Sequence, residues 1–126
     1  MDRTSQQVAG DAAEALVAER LTARGWHVLG RNVHLGRSEL DIVAVDPGPP
    51  ARLVVVEVRW RRSRSFGLPE ETFDYRKRAH LRAGVGRLLE AGRLPGGAEL
   101  PRLPVALDLA VVEPGPVVRL HRDALS

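Results

Sequence analysis

Ser38-Glu39-Leu40-Asp41-Ile42-Val43-Ala44-Val45, the turn Asp46-Pro47-Gly48-Pro49-Pro50, then Leu53-Val54-Val55-Val56-Glu57-Val58-Arg59-Trp60-Arg61-Arg62-Ser63-Arg64: the fold is decided in this stretch. Val- and Ile-rich runs bounded by turn residues read as strands. A five-residue turn suits antiparallel neighbours. Each run carries an acid where a core strand should not, Asp41 between Leu40 and Ile42, and Glu57 between Val56 and Val58. Carboxylates are rarely buried unless paired or bound to a cation. Strand alternation puts Glu57 and Arg59 on one face, about 6.6 Å apart, with Val54, Val56, Val58 and Trp60 on the other. The same alternation groups Glu39, Asp41, Val43 and Val45. Pairing of the two strands would set Asp41 and Glu57 side by side on a sheet face, with a cation beside them.

Outward from this pair, residues 5–24 read as a helix, with Ser5 as N-cap and Gly25 as the glycine that ends it. Ala13, Leu16, Val17 and Arg20 share one side, with Glu14 next to it. A glutamate inside a helix is ordinarily a solvent-facing helix former. Residues 26–33 form a short strand and Gly36-Arg37-Ser38 a turn. Beyond the central strands, Ser63, Ser65, Gly67 and Pro69 make residues 61–71 a loop. A second helix spans 72–91, with Thr72 as N-cap, Gly92 as stop and Leu81, Val85, Leu88 and Leu89 as core stripe. Gly84 and Gly86 weaken it or permit close packing. Strands over 105–112, with Asp108 its only charge, and 117–121 complete the order αβββαββ. The helical crossover between the third and fourth strands predicts a mixed central sheet flanked by helices, an α/β fold in one domain over 1–126.

At 126 residues, 44% hydrophobic and 28% charged, the composition is that of one globular domain. With no cysteine, a disulfide framework and a Cys zinc site are excluded. No secretion signal and no bilayer-spanning apolar run are seen, so a soluble cytoplasmic protein, with no membrane partner, is the expectation. Net charge is +3, and eight of the nineteen basic residues fall within the 24 residues from Arg59 to Arg82. Such clustering is the footprint of phosphate binding; its plainer reading is a solvated basic face.

Asp41 and Glu57, with Glu14 as helper and the Val58 carbonyl as a further oxygen, suit Mg²⁺ or Mn²⁺, hard cations that share a few carboxylates with substrate phosphate. Arg59 would stabilise charge on phosphoryl oxygens. The plainer alternative is a partly exposed ion pair, Glu57 with Arg59 or Asp41 with another arginine, contributing roughly 0–1 kcal/mol. Histidines 27, 34, 80 and 121 show no short metal-ligand spacing and read as structural. No Walker-type loop or nucleophile elbow is present. Trp60 reads as core; Tyr75 and, better, Phe66 are candidates for stacking on bases.

Gly10-Asp11-Ala12-Ala13-Glu14, Arg31-Asn32-Val33, the Ser38–Ala44 and Val56–Ser63 runs, Phe66-Gly67, Lys77 and Leu107-Asp108-Leu109-Ala110-Val111 together resemble the YraN-like family of small bacterial proteins. That family is related to Holliday-junction resolvases and the PD-(D/E)xK nuclease superfamily. The resemblance implies a restriction-endonuclease-like core, with Glu14, Asp41 and Glu57 at the acidic metal-binding positions. Position 59 matches the superfamily's lysine but holds arginine, which stays protonated and cannot act as a general base. It can still orient water or bind phosphate bidentately. Lys77 would substitute if its helix faces the site. The family's Gly-Glu before the Asp strand appears as Ser38-Glu39.

The expectation is therefore a Mg²⁺- or Mn²⁺-dependent endodeoxyribonuclease-like protein acting on DNA rather than RNA, extending to branched DNA. Asp41, Glu57, Arg59 and Glu14 would be catalytic, and Arg61, Arg62, Arg64 and Lys77 would contact nucleic acid. A homodimer is admitted by the resolvase-like relatives. The competing readings are a nucleic-acid-binding module without chemistry and a protein-interaction subunit.

Overall fold

In the computed structural model, which describes residues 4–61 and 75–126, the chain runs α1 (Ser5–Ala23), β1 (His27–Leu35), β2 (Ser38–Asp46), β3 (Arg52–Trp60), α2 (Tyr75–Ala91), β4 (Val105–Glu113) and β5 (Val117–His121). The expected order αβββαββ is the observed one. Among the described residues the five strands form one sheet in the order β1-β2-β3-β4-β5. β1, β2 and β3 are joined as antiparallel neighbours, and β4 and β5 likewise. β3 and β4, joined through α2, are parallel from Leu53↔Val105 to Trp60↔Val112. The sheet is mixed, as the helical crossover required.

Strand alternation sorts the apolar side chains into two layers. Val43, Val55, Leu109 and Val111 meet Leu81, Val85 and Leu88 of α2 on one face. Ile42, Val54, Val56 and Ala110 meet Ala13, Val17 and Leu21 of α1 on the other. β3 and β4 are near-continuous apolar runs because both their faces are covered, as parallel pairs demand.

Thr4, not Ser5, caps α1: its Oγ1 accepts the Gln7 N–H at 3.1 Å, and the Gln7 side chain accepts the Thr4 N–H at 2.9 Å. This reciprocal pair satisfies two N-terminal donors and is the Thr-x-x-Gln signature of a capping box. Gly25 follows the helix at φ 89°, the left-handed conformation that ends it. The buried stripe of α1 is Ala13, Glu14, Val17, Ala18 and Leu21, and Arg20 points outward. The stripe is rotated from the expected one, so Glu14 is buried rather than solvent-facing.

In α2, Leu81, Val85 and Leu88 are buried as expected, but Leu89 is 46% exposed and Gly84 takes its place in the interface. A Cβ at Gly84 would lie 3.0 Å from Ser38 Cβ and 3.2 Å from Leu40 Cδ2. At Gly86 it would meet nothing within 4 Å. One glycine therefore serves close packing on β2 and the other does not. Trp60, expected in the core, is 41% exposed. It lies one alternation beyond Val58, the last β3 side chain packed on the α1 layer. The expected loop over 61–71 and the Thr72 cap fall largely outside the described residues.

Candidate active site

The β2–β3 ladder runs from Asp46↔Arg52 at the turn to Ile42↔Val56. Beyond Ile42, β2 stays paired to β1 as far as Leu35↔Ser38, while β3 stays paired to β4 as far as Trp60↔Val112. The two central strands thus part company at Asp41 and Glu57. In the gap, Asp41 Oδ2 accepts the Val58 N–H at 2.8 Å, standing in for a main-chain carbonyl. This breaks the side-chain alternation of β2: Leu40 and Val43 both lie in the α2-side core, with Ile42 in the α1-side core between them. The expected common face of Glu39, Asp41, Val43 and Val45 does not form for that reason.

The Asp41 and Glu57 carboxyl groups lie within hydrogen-bonding reach of each other, at the point where the ladder between their strands ends. Burial pushes Glu57 up to about 8, the neighbouring Asp41 charge adds to the rise, and Arg59 opposes it. Burial also raises Asp41, against the Val58 amide and the bond to Glu57. Two half-buried acids this close titrate as a coupled pair.

Glu14 is carried to the same corner by α1. It lines a groove on the α1 side of the sheet with Asp11, Asn32, Glu39, Asp41 and Val58. Its carboxyl is raised by burial first and by Asp41 second, while Arg31 Nε, at 3.3 Å, draws it back down. On the α2 side a second cleft joins Glu57 and Arg59 to Arg76, Lys77 and His80, with Glu39 on its rim. α2 does bring Lys77 to the cleft that holds Glu57 and Arg59. Arg61 follows β3, its N–H on the Val112 carbonyl at 2.8 Å. Arg62, Arg64 and Phe66 lie outside the described residues.

Asp41 and Glu57 suit a hydrated Mg²⁺, which takes one or two carboxylates and keeps several waters. Their closeness would offer a cation a pair of carboxylate oxygens. Among the described residues no group of three His, Asp or Glu side chains is arranged to hold a metal. Sequence reasoning missed Arg76, Glu39 and His80, having taken the histidine as structural. The available signal was helical spacing, since His80 lies three residues after Lys77 and so on the same face.

The fold and the corner define a single-domain α/β protein with a paired-acid site where two central strands diverge. The model of the family described as "Uncharacterised protein family UPF0102" matches residues 13–112, and the chain belongs to that family. It is 40% identical over 112 residues to a UPF0102 protein of Symbiobacterium thermophilum, covering 89% of this chain and 87% of the relative. A UPF0102 protein of Dehalococcoides mccartyi is 34% identical, with 92% and 91% covered, and one of Roseiflexus castenholzii 37%, with 84% and 79%. The match spans Glu14, Asp41, Glu57, Arg59 and Lys77. No helix of the described residues is long and apolar enough to cross a membrane.

Proposed function

We propose that this protein is a Mg²⁺- or Mn²⁺-dependent nuclease of the PD-(D/E)xK type that hydrolyses phosphodiester bonds in DNA, branched DNA included. The observation that carries the reading is the closeness of the Asp41 and Glu57 carboxyl groups at a strand divergence, beside Arg59. A purely structural ion pair would not put two carboxyls against each other. A divalent cation held by Asp41 and Glu57 would supply Lewis-acid polarisation of the phosphate and make water more acidic.

The chain's own residues do the rest. Arg59, always charged, binds a phosphoryl oxygen and offsets the negative charge that builds on it, but accepts no proton. Lys77 adds a second positive charge on the α2 wall of the same cleft. Asp41 is held in place by the Val58 amide, so its other oxygen is preorganised rather than mobile. Hydrolysis forms one phosphorus–oxygen bond to water and breaks one to the leaving sugar oxygen; the water's proton passes to solvent and the leaving oxygen takes one up.

The test is cleavage of a panel of single-stranded, duplex and branched DNA with Mg²⁺ or Mn²⁺, together with Mn²⁺ binding by calorimetry. Wild type should cleave and bind Mn²⁺, and Asp41→Asn and Glu57→Gln should lose both. Equal cleavage in all three, or no cleavage and no Mn²⁺ binding in wild type, counts against the reading. A second reading, a binding module without chemistry, is favoured by the arginine at position 59 and the two-carboxylate donor set. Binding would then fall steeply with salt and ignore Mg²⁺.

A further inference from the structure

The paired acids sit where two grooves of opposite charge meet. On the α2 side, Arg59, Arg76, Lys77 and His80 form one wall of the cleft that reaches Glu57. On the α1 side, the groove that reaches Asp41 is lined by Asp11, Glu14, Glu39 and Asp41, and among the described residues no lysine or arginine joins that lining. Glu39 borders both. The α2-side cleft is thus net cationic despite Glu39 and Glu57, and the α1-side groove is acidic, with Arg31 offsetting Glu14.

We infer that the site accepts one phosphodiester strand, laid along Arg76, Lys77 and His80 on the α2 side, and disfavours intact duplex. The inference rests on the nucleic-acid reading of the same site and narrows it to a substrate class, single-stranded DNA or the single-stranded segment of a branched molecule. Phosphate contacts supply most of non-specific affinity. In a duplex the second backbone lies roughly 6–12 Å across a groove from the first. A second backbone that reached the α1-side groove would meet Glu39 and Asp41, where like charge repels it. A lone strand carries no second backbone, and its unstacked bases are free to turn away from the acids.

The test compares the affinity of a fluorescent 20-nucleotide single strand with that of its blunt duplex, at fixed salt and without divalent metal. Wild type should prefer the single strand by about tenfold or more. Arg76→Ala with Lys77→Ala should weaken single-strand binding and lower the salt slope by about one for each cation removed. Gly10→Lys, on the α1 wall where an added side chain meets nothing within 4 Å, should raise duplex affinity and narrow the preference. All three positions are exposed, and a melting curve for each variant checks that it folds. Equal or tighter duplex binding by wild type overturns the inference, as does indifference to the α2 pair or to Gly10→Lys, while leaving nucleic-acid binding standing. Failure of wild type to bind either probe overturns this inference, and cleavage of the DNA panel with Mg²⁺ or Mn²⁺ decides the nuclease reading separately.

Discussion

A carboxylic acid that keeps its proton in the folded state ties stability to pH. At pH values below the ordinary carboxylate range, Glu57 is protonated folded and unfolded. Between that range and about 8 the unfolded chain releases a proton that the folded chain retains, so stability falls as pH rises; above about 8 the fall is complete. Glu57→Gln keeps the hydrogen bond to Asp41 without the titration. At pH 9 it should be more stable than wild type by on the order of 1–2 kcal/mol, several degrees in Tm, and at pH 5 the two should nearly coincide. A calorimetric melt at each pH checks this. Asp41 has a second role that is purely structural. Asp41→Ala strips the Val58 N–H of its acceptor and should destabilise by about 1–3 kcal/mol, whereas Asp41→Asn retains an oxygen there and should cost less. Chemical denaturation separates the two.

At the scale of elements, α2 holds a matched pair of glycines with opposite roles. Gly86→Ala replaces glycine by the best helix former in open space and should stabilise by about 0.5–1 kcal/mol. Gly84→Ala brings the same propensity gain against Ser38 and Leu40, whose Cβ and Cδ2 stand 3.0 and 3.2 Å from the new atom. Ser38 has little room to yield, its Oγ being held by Arg87 Nη1 at 2.9 Å. Gly84→Ala should therefore lower Tm while Gly86→Ala raises it. The elements themselves were legible because their signals are local: apolar period, turn residues and the glycines after each helix. The phase break at Asp41 was not, because it depends on where β3 leaves β2, and strand divergence has no signature in β2 alone. The rotation of the α1 stripe was hidden for a related reason. Leu16 and Ala18 are both apolar, and it is the sheet beneath that buries Ala18 and leaves Leu16 packed at the edge of the same cluster.

Across the whole molecule, one arginine from the end of the chain ties three distant segments together. Arg122 Nε donates to Asp108 Oδ2 at 2.7 Å and Nη2 to Asp46 Oδ2 at 2.6 Å. Its guanidinium lies over the Trp26 ring, 4.9 Å from the centroid. Asp108 is fully buried, and the Asp123 N–H, at 2.8 Å, also reaches it. Removing one partner of a buried charge leaves the other uncompensated. Arg122→Ala should cost about 2–4 kcal/mol in urea denaturation, discounted for the half-exposed guanidinium and for the Asp123 amide that remains. Asp108→Asn, which leaves no orphaned charge, should cost less. In the sequence Asp46 was a turn residue and Asp108 a lone charge in an apolar strand, and neither revealed its partner.

By itself the sequence determined the element order, the mixed sheet and the family, and it marked Asp41 and Glu57 as acids that a core strand could not hold without cause. These follow from local periodicity and from the cost of burying charge, both of which act over a few residues. The tertiary structure alone decided that the acids meet where β2 and β3 part, that Glu14 is buried, that α2 delivers Arg76, Lys77 and His80 to the same cleft, and that the chain's end clasps Asp46 and Asp108. Each depends on which atoms far apart in the chain come within hydrogen-bonding or Coulombic range. Contact energies fall off over a few ångströms of space, and sequence separation carries no record of that distance.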